Sequence, residues 1–356
     1  MSSFYTITAI SSEERRLKEF GNDQEVEIYF IDFTRRITPL KDLRSLIKLF
    51  RYLNKEKPNI VHTHTPKAGI VGMLASYLVG VPNRLHTVAG LPLLEARGIK
   101  KKILILVERI TYACATKVYP NSFGLKKIII DNGFTKRAKI RVIAYGSSNG
   151  IDTAYFNPDL FTVEQKVSFK VELGIKTEDF VFIFIGRIVR DKGIDELVVA
   201  FEKLSKEREK VTLLLVGPCE EELDPLKKRT KAIINENKRI ISVGFKRDVR
   251  PYLAISDVLV LPSYREGFPN VVLQAGAMNL PSIVTNINGC NEIIEENKNG
   301  LIIPVKNAVV LFESMLKIMS NTHMKLNTRK MIKDRFEQRL VWDAMLKEYK
   351  SFDQNV

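Results

Sequence analysis

Tyr264-Arg265-Glu266-Gly267-Phe268-Pro269-Asn270-Val271-Val272-Leu273-Gln274-Ala275 joins two kinds of periodicity. Residues 257–261 just before it form a short apolar run, the pattern of a strand buried on both faces. The residues after Asn270 open an apolar helical pattern. Between them lies a loop with one carboxylate, one Gly and one Pro. Such a loop offers backbone N–H groups and a helix N-terminus to an anion, while the carboxylate accepts hydrogen bonds from hydroxyl groups. The stretch predicts a strand-loop-helix unit of an α/β fold, with a ligand site at the carboxyl end of the strand.

The same alternation extends in both directions. Upstream, strands are expected at residues 180–185, 211–216 and 240–243, with a helix over 193–204; downstream, strands are expected at 282–284 and 301–303. The first part of the chain repeats the pattern, with strands near 4–10, 26–31, 59–62, 84–87, 117–119 and 140–144 and helices over 40–54, 67–78 and 100–114. Strands alternating with helices predict parallel sheets covered on both faces. Turn signals at Asn149-Gly150-Ile151-Asp152 and Phe156-Asn157-Pro158 interrupt the series and divide it into domains at 1–152 and 153–335, followed by a C-terminal helix over 336–356 that packs back toward the first domain.

A chain of 356 residues is long enough for two such cores. Its 45% hydrophobic and 27% charged residues describe a globular protein, and its net charge of +15 favours phosphate-bearing partners. Cys114, Cys219 and Cys290 lack metal-ligand spacing and are odd in number, which predicts free thiols in a reducing cytoplasm. No apolar run is long enough to span a bilayer, and the N-terminus has no signal-peptide pattern, so membrane contact is expected to be peripheral. The helix over 40–54 places Leu40, Leu43, Ile47, Phe50 and Leu53 on one face, expected in the core, with Lys41, Arg44, Lys48, Arg51 and Lys55 around the rest. That basic face, extended by Lys100, Lys101 and Lys102, also suits an anionic membrane surface. Nucleic acid is not expected, because no RNA- or DNA-binding motif accompanies the charge.

A second motif follows the strand over 180–185: Gly186-Arg187, then Asp191-Lys192-Gly193 at the mouth of a helix. Gly lets a ligand approach the backbone, and Arg187 with Lys192 suits a diphosphate; alone, the pattern also describes a charged surface turn. No Walker A or Gly-x-Gly-x-x-Gly sequence is present. His86 follows a strand, where a lone histidine is commonly structural. His62 and His64 share a strand face but have no evident third metal ligand. Gly244-Phe245 reads equally as a turn with a buried Phe, and Glu292 as a first-turn acid complementing a helix dipole.

Taken together, these segments resemble the retaining glycosyltransferases of family 4. The resemblance runs from Val61-His62-Thr63-His64-Thr65-Pro66 through His86-Thr87-Val88-Ala89-Gly90 and Asn149-Gly150-Ile151-Asp152 to Glu266-Gly267-Phe268-Pro269-Asn270. It is nearest in look to bacterial enzymes that build capsular, O-antigen or protein-linked glycans on undecaprenyl diphosphate. The resemblance implies a GT-B fold of two facing Rossmann-like domains. It also implies transfer of a hexose or N-acetylhexosamine from a UDP-sugar to a lipid-diphosphate-linked saccharide, without a metal or other cofactor, at the inner face of the cytoplasmic membrane.

Within that family pattern, Arg187 and Lys192 hold the donor diphosphate with Gly186 beside them. Glu266 contacts the sugar hydroxyls and Gly267, Phe268, Pro269 and Asn270 line the sugar. Phe245 lies beside the base, and His86 near the phosphate and sugar. Gln274 stands where the family has a second glutamate on the ribose, which removes a charged acceptor. Residues 4–10 match the family's second strand, so the first domain is expected to lack its central first strand. Both departures also admit a non-catalytic remnant of such an enzyme that binds a nucleotide sugar or a membrane partner.

Overall fold

The computed structural model describes residues 1–33, 38–94, 96–220, 224–321 and 323–353. The chain forms two compact units. The first comprises Met1–Asn121, Leu125–Ile143 and Asp343–Val356, and the second Ser122–Gly124 and Ala144–Trp342.

In the first unit the chain runs β1 (Thr8–Ser11), α1 (Glu14–Gln24), β2 (Glu27–Phe30), α2 (Pro39–Glu56), β3 (Ile60–Thr63), α3 (Pro66–Val79), β4 (Asn83–Val88), α4 (Gly98–Cys114) and β5 (Lys117–Pro120), then enters α5 (Phe123–Asp131). β1 pairs with β2, and β3, β4 and β5 form a separate sheet in that order; all pairings are parallel. Among the described residues no ladder joins β1 to β3, so the strands expected as one sheet form two. The stretch expected as a strand over 140–144 makes only a single bridge, Val118 to Ile140.

α2 departs from its expected orientation over its first half. Its buried residues are Ser45, Leu49 and Leu53, whereas Leu40 is 78% and Leu43 52% exposed, and Ile47 is exposed as well. Leu53 of the expected face is buried as expected and Phe50 is half-buried, and with Leu46 and Leu49 beside it Leu53 forms the ridge that α3 and the strands cover. Periodicity located an apolar arc but not the part of it that is covered.

The second unit contains α6 (Val163–Glu172), β6 (Phe180–Ile185), α7 (Ile194–Glu207), β7 (Val211–Val216), α8 (Lys228–Glu236), β8 (Ile240–Ser242), α9 (Arg250–Ala254), β9 (Val258–Leu261), α10 (Asn270–Ala277), β10 (Ser282–Thr285), α11 (Cys290–Ile293), β11 (Gly300–Ile303), α12 (Ala308–Met319) and α13 (His323–Phe336). α14 (Gln338–Asp353) follows, and its residues from Asp343 onward belong to the first unit. The sheet is parallel, in the order β11-β10-β9-β6-β7-β8. β6 reads Phe-Val-Phe-Ile-Phe-Ile and β7 is buried throughout, which is what central parallel strands with helices on both faces require. The order reverses direction at β6, whose neighbours are β7 and β9, which makes the carboxyl ends of β6 and β9 the switch point at which open α/β sheets take their ligands.

Candidate functional site

The predicted motifs leave the carboxyl edge of this one sheet. β6 continues into Gly186 and Arg187, β9 into the Glu266 loop, β10 into residues 286–292, β7 into 217–220 and β8 into Phe245. Because β6 and β9 are neighbours, the turn that carries Arg187 and Lys192 and the loop that carries Glu266 are brought together.

Nζ of Lys192 lies 2.5 Å from Oε1 of Glu266, and the two side chains are 18% and 16% exposed. Gly193 makes the approach possible. It has φ +71°, and a Cβ there would stand 2.1 Å from the Pro262 carbonyl oxygen. The loop is braced from the other side by Asn288, whose Nδ2 donates to the Glu266 carbonyl at 2.6 Å. Gly289 lets that brace come close, since a Cβ would meet the Gly267 carbonyl at 2.4 Å. Arg187 is more open and pairs with Glu220 at 3.0 Å. Phe245 stands exposed at the end of β8.

Phe268 is buried against Phe336, with ring centroids 5.5 Å apart, and Pro269 is buried as well. Gly267 before them is half-buried, and Asn270 after them is exposed at the start of α10. Gln274 is half-buried one turn along α10. Cys290 is buried behind the site; burial first, and then the Glu266 charge, push its thiol well above the ordinary range and keep it protonated.

In the first unit, His62, His64 and His86 lie close together. His62 and His64 do share a face, with rings stacked at 4.2 Å. Nδ1 of His62 is 2.5 Å from the Tyr349 hydroxyl and Nε2 is 2.7 Å from Oγ1 of Thr87, so both ring nitrogens are engaged within the protein. His86 is only 3% exposed. Its Nδ1 lies 2.8 Å from Oγ1 of Thr63, and Gly69 of α3 sits against its ring. Burial, with His64 nearby, pushes its pKa down to about 4. His86 is therefore a neutral, enclosed ring rather than an open one. Among the described residues no group of three His, Cys, Asp or Glu is arranged to hold a metal ion.

The sequence reading missed Glu220, Asn288, Tyr349 and the pair Asp191 with Arg265, whose side chains are 3.1 Å apart. Each is defined by a partner 21 or more positions away, and no local spacing carried a signal for them.

Comparison with known proteins identifies the family and the fold. The family described as glycosyl transferases group 1 matches residues 165–339, and the glycosyl transferase 4-like domain matches residues 6–146. The chain is 31% identical over 347 residues to the capsular polysaccharide biosynthesis glycosyltransferase CapM of Staphylococcus aureus, covering 96% of this chain and 89% of that protein. It is 30% identical over 331 residues to the UDP-Gal:alpha-D-GlcNAc-diphosphoundecaprenol alpha-1,3-galactosyltransferase of Escherichia coli, covering 91% and 83%. Among solved structures, a glycosyltransferase from Rickettsia africae ESF-5 aligns with a TM-score of 0.81 at 22% identity, over 100% of this chain and 92% of that one. Anabaena Alr3699/HepE, solved with UDP and glucose, aligns with a TM-score of 0.79 at 19% identity, over 97% and 91%. The GT-B fold expected from the sequence is thereby shown.

Proposed function

From the premise that this chain belongs to the family 4, or group 1, glycosyltransferases, we propose that it moves a hexose or N-acetylhexosamine from a UDP-sugar to a lipid-diphosphate-linked saccharide, with retention, in the synthesis of a surface polysaccharide or glycan. The observation that carries the reading is the meeting of Lys192 and Glu266 at the switch point of the second sheet. A nucleoside diphosphate sugar presents two chemistries a few ångströms apart, phosphate oxygens and sugar hydroxyls. Lys192, with Arg187, meets the first and Glu266 the second. The order of the strand ends runs from Phe245 at β8, suited to stack on a base, through β6 to the sugar loop at β9.

In this reading the bond between the sugar and the diphosphate breaks as the acceptor hydroxyl attacks from the same face. Arg187 and Lys192 stabilise the charge that develops on the departing phosphate oxygen, and that oxygen receives the acceptor proton. Two fixed cations supply the charge this step needs, so the reading calls on no metal, and turnover is expected to persist in EDTA. His86 enters as a buried positioning residue that holds Thr63 at the end of β3. The assay is UDP release with UDP-sugars and an undecaprenyl-diphosphate-linked acceptor. Lys192→Ala and Glu266→Ala should each abolish it, and release unaffected by both would sink the assignment.

The acceptor class also explains the surface of the first unit. α3 packs between α2 and α4. On the outer helices Leu40, Leu43 and Ile47, and Ile99, Ile103, Leu106 and Ile110, are exposed beside Lys41, Arg44, Lys100, Lys101 and Lys102. Exposed apolar stripes rimmed by cations suit the cytoplasmic face of an anionic bilayer, where a lipid-linked acceptor resides. No helix among the described residues is long and apolar enough to cross a membrane.

Gln274 favours a second reading, a protein that binds the nucleotide sugar without turnover. Calorimetric donor binding with no product from any lipid-linked acceptor would select it.

A further inference from the structure

The turn that carries Lys192 and the loop that carries Glu266 are joined by more than that pair. Oδ2 of Asp191 accepts from Nη2 of Arg265 at 3.1 Å, so two successive residues of the turn meet two successive residues of the loop, Asp191 with Arg265 and Lys192 with Glu266. The backbone N–H of Tyr264 also donates to the Asp191 carbonyl at 2.9 Å. Asp191 is itself fixed, because its own N–H donates to Oδ2 of Asp224 at 2.6 Å. The far side of the loop is anchored by the Tyr264 hydroxyl, which donates to the Glu196 carboxylate at 2.7 and 2.8 Å, with Nζ of Lys306 4.8 Å from the ring centre. The charges alternate in sign along both segments, so a slip of one residue would oppose like charges.

We infer that Asp191 and Arg265 are positioning residues that set the register between the diphosphate-binding turn and the sugar-binding loop. The inference rests on the donor reading above. The phosphate and the sugar of a donor are covalently joined at a fixed distance, so Lys192 and Glu266 act on one molecule only if the segments bearing them keep a matching separation. When a donor enters, its phosphate and hydroxyl groups compete with the Lys192–Glu266 pair. The Asp191–Arg265 pair bonds neither group and holds the two segments together while that exchange occurs. Arg265 is 44% exposed at its side chain, so the pair contributes little to global stability; its effect falls on ligands that engage both segments.

The test compares UDP, which engages the turn, with UDP-sugars, which engage turn and loop. Binding of UDP, UDP-galactose, UDP-glucose and UDP-N-acetylglucosamine to the full chain is measured by calorimetry for wild type, Arg265→Gln, Asp191→Asn, Arg265→Lys and the charge swap Asp191→Arg with Arg265→Asp. The expected result is a loss of about tenfold in affinity for the best-bound UDP-sugar in Arg265→Gln and Asp191→Asn. Affinity for UDP and the thermal midpoint should stay unchanged, with Arg265→Lys or the swap recovering much of the loss. Equal weakening of UDP and UDP-sugar, a fall in affinity that tracks a fall in midpoint, or no change at all would each overturn the inference. Lys192→Ala separates it from its premise. If that variant binds UDP as wild type does, or if UDP binds and no UDP-sugar does, the donor reading itself fails and the inference with it.

Discussion

Lys192 and Glu266 are 74 positions apart in sequence, yet Nζ of one lies 2.5 Å from Oε1 of the other. They meet because β6 and β9 are adjacent and both loops leave the carboxyl edge of the sheet. Each group is the other's counter-charge in a setting that excludes most water, so removing one leaves the other poorly compensated.

Lys192→Met and Glu266→Gln should therefore each cost about 1 to 3 kcal/mol of stability, less than a fully enclosed pair because both groups retain some solvent contact. Each should also reduce turnover by about a hundredfold or more. The double variant should regain much of the stability and none of the activity. Urea unfolding alongside UDP release checks this, and a double variant as unstable as the sum of the singles would show that the pair is not coupled.

Gln274 places a neutral amide on α10. Gln274→Glu should tighten UDP-sugar binding by about 1 to 2 kcal/mol if a charge-assisted bond to ribose is regained. Calorimetry with UDP decides the point, and an unchanged affinity would remove position 274 from the nucleotide site.

The exposed stripes of α2 and α4 lead to a partition experiment. Leu40→Ser with Ile99→Ser, or Lys100, Lys101 and Lys102 changed together to Glu, should lower co-sedimentation with phosphatidylglycerol-rich vesicles by about tenfold or more, since each buried apolar side chain or basic contact contributes on the order of 1 kcal/mol. Turnover on a water-soluble acceptor analogue should be preserved. Vesicle binding that does not depend on anionic lipid would contradict the basic-surface assignment.

His86 predicts a pH dependence. Burial lowers its folded-state pKa from 6.5 to about 4, so as pH falls the unfolded chain takes up the proton first. The stability that comes from keeping the ring neutral is complete above about pH 6.5 and is lost progressively down to about pH 4, a total on the order of 3 kcal/mol. The difference in unfolding free energy between wild type and His86→Gln, followed from pH 7 to pH 4, isolates this term from other titrations. A difference that stays constant across the window would mean the ring is not held neutral by burial.

Much of the second unit was legible in the sequence. The strands over 180–185 and 211–216 lie where they were expected, because a run such as Phe-Val-Phe-Ile-Phe-Ile has no other way to hide both its faces. The placement of Arg187, Lys192 and Glu266 was legible too, since Gly and charged residues right after a strand mark the carboxyl edge of a parallel sheet. Less was legible in the first unit. The same kind of apolar arc at Leu40, Leu43 and Ile47 faces outward, because α3 covers the neighbouring ridge.

Residue type and local spacing by themselves determined an α/β chain with charged loops after its strands, and the resemblance to family 4 singled out Arg187, Lys192 and Glu266 among them. Only the tertiary structure decided which of these meet. The order of strands in the sheet sets Lys192 against Glu266 and Asp191 against Arg265, folds Asn288 behind the loop, and encloses His86 beneath α3. The physical reason is that local periodicity records how a segment shields its own apolar atoms. The pairing of charges across loops depends on strand neighbours, which are set by packing of the whole sheet and leave no trace in local spacing.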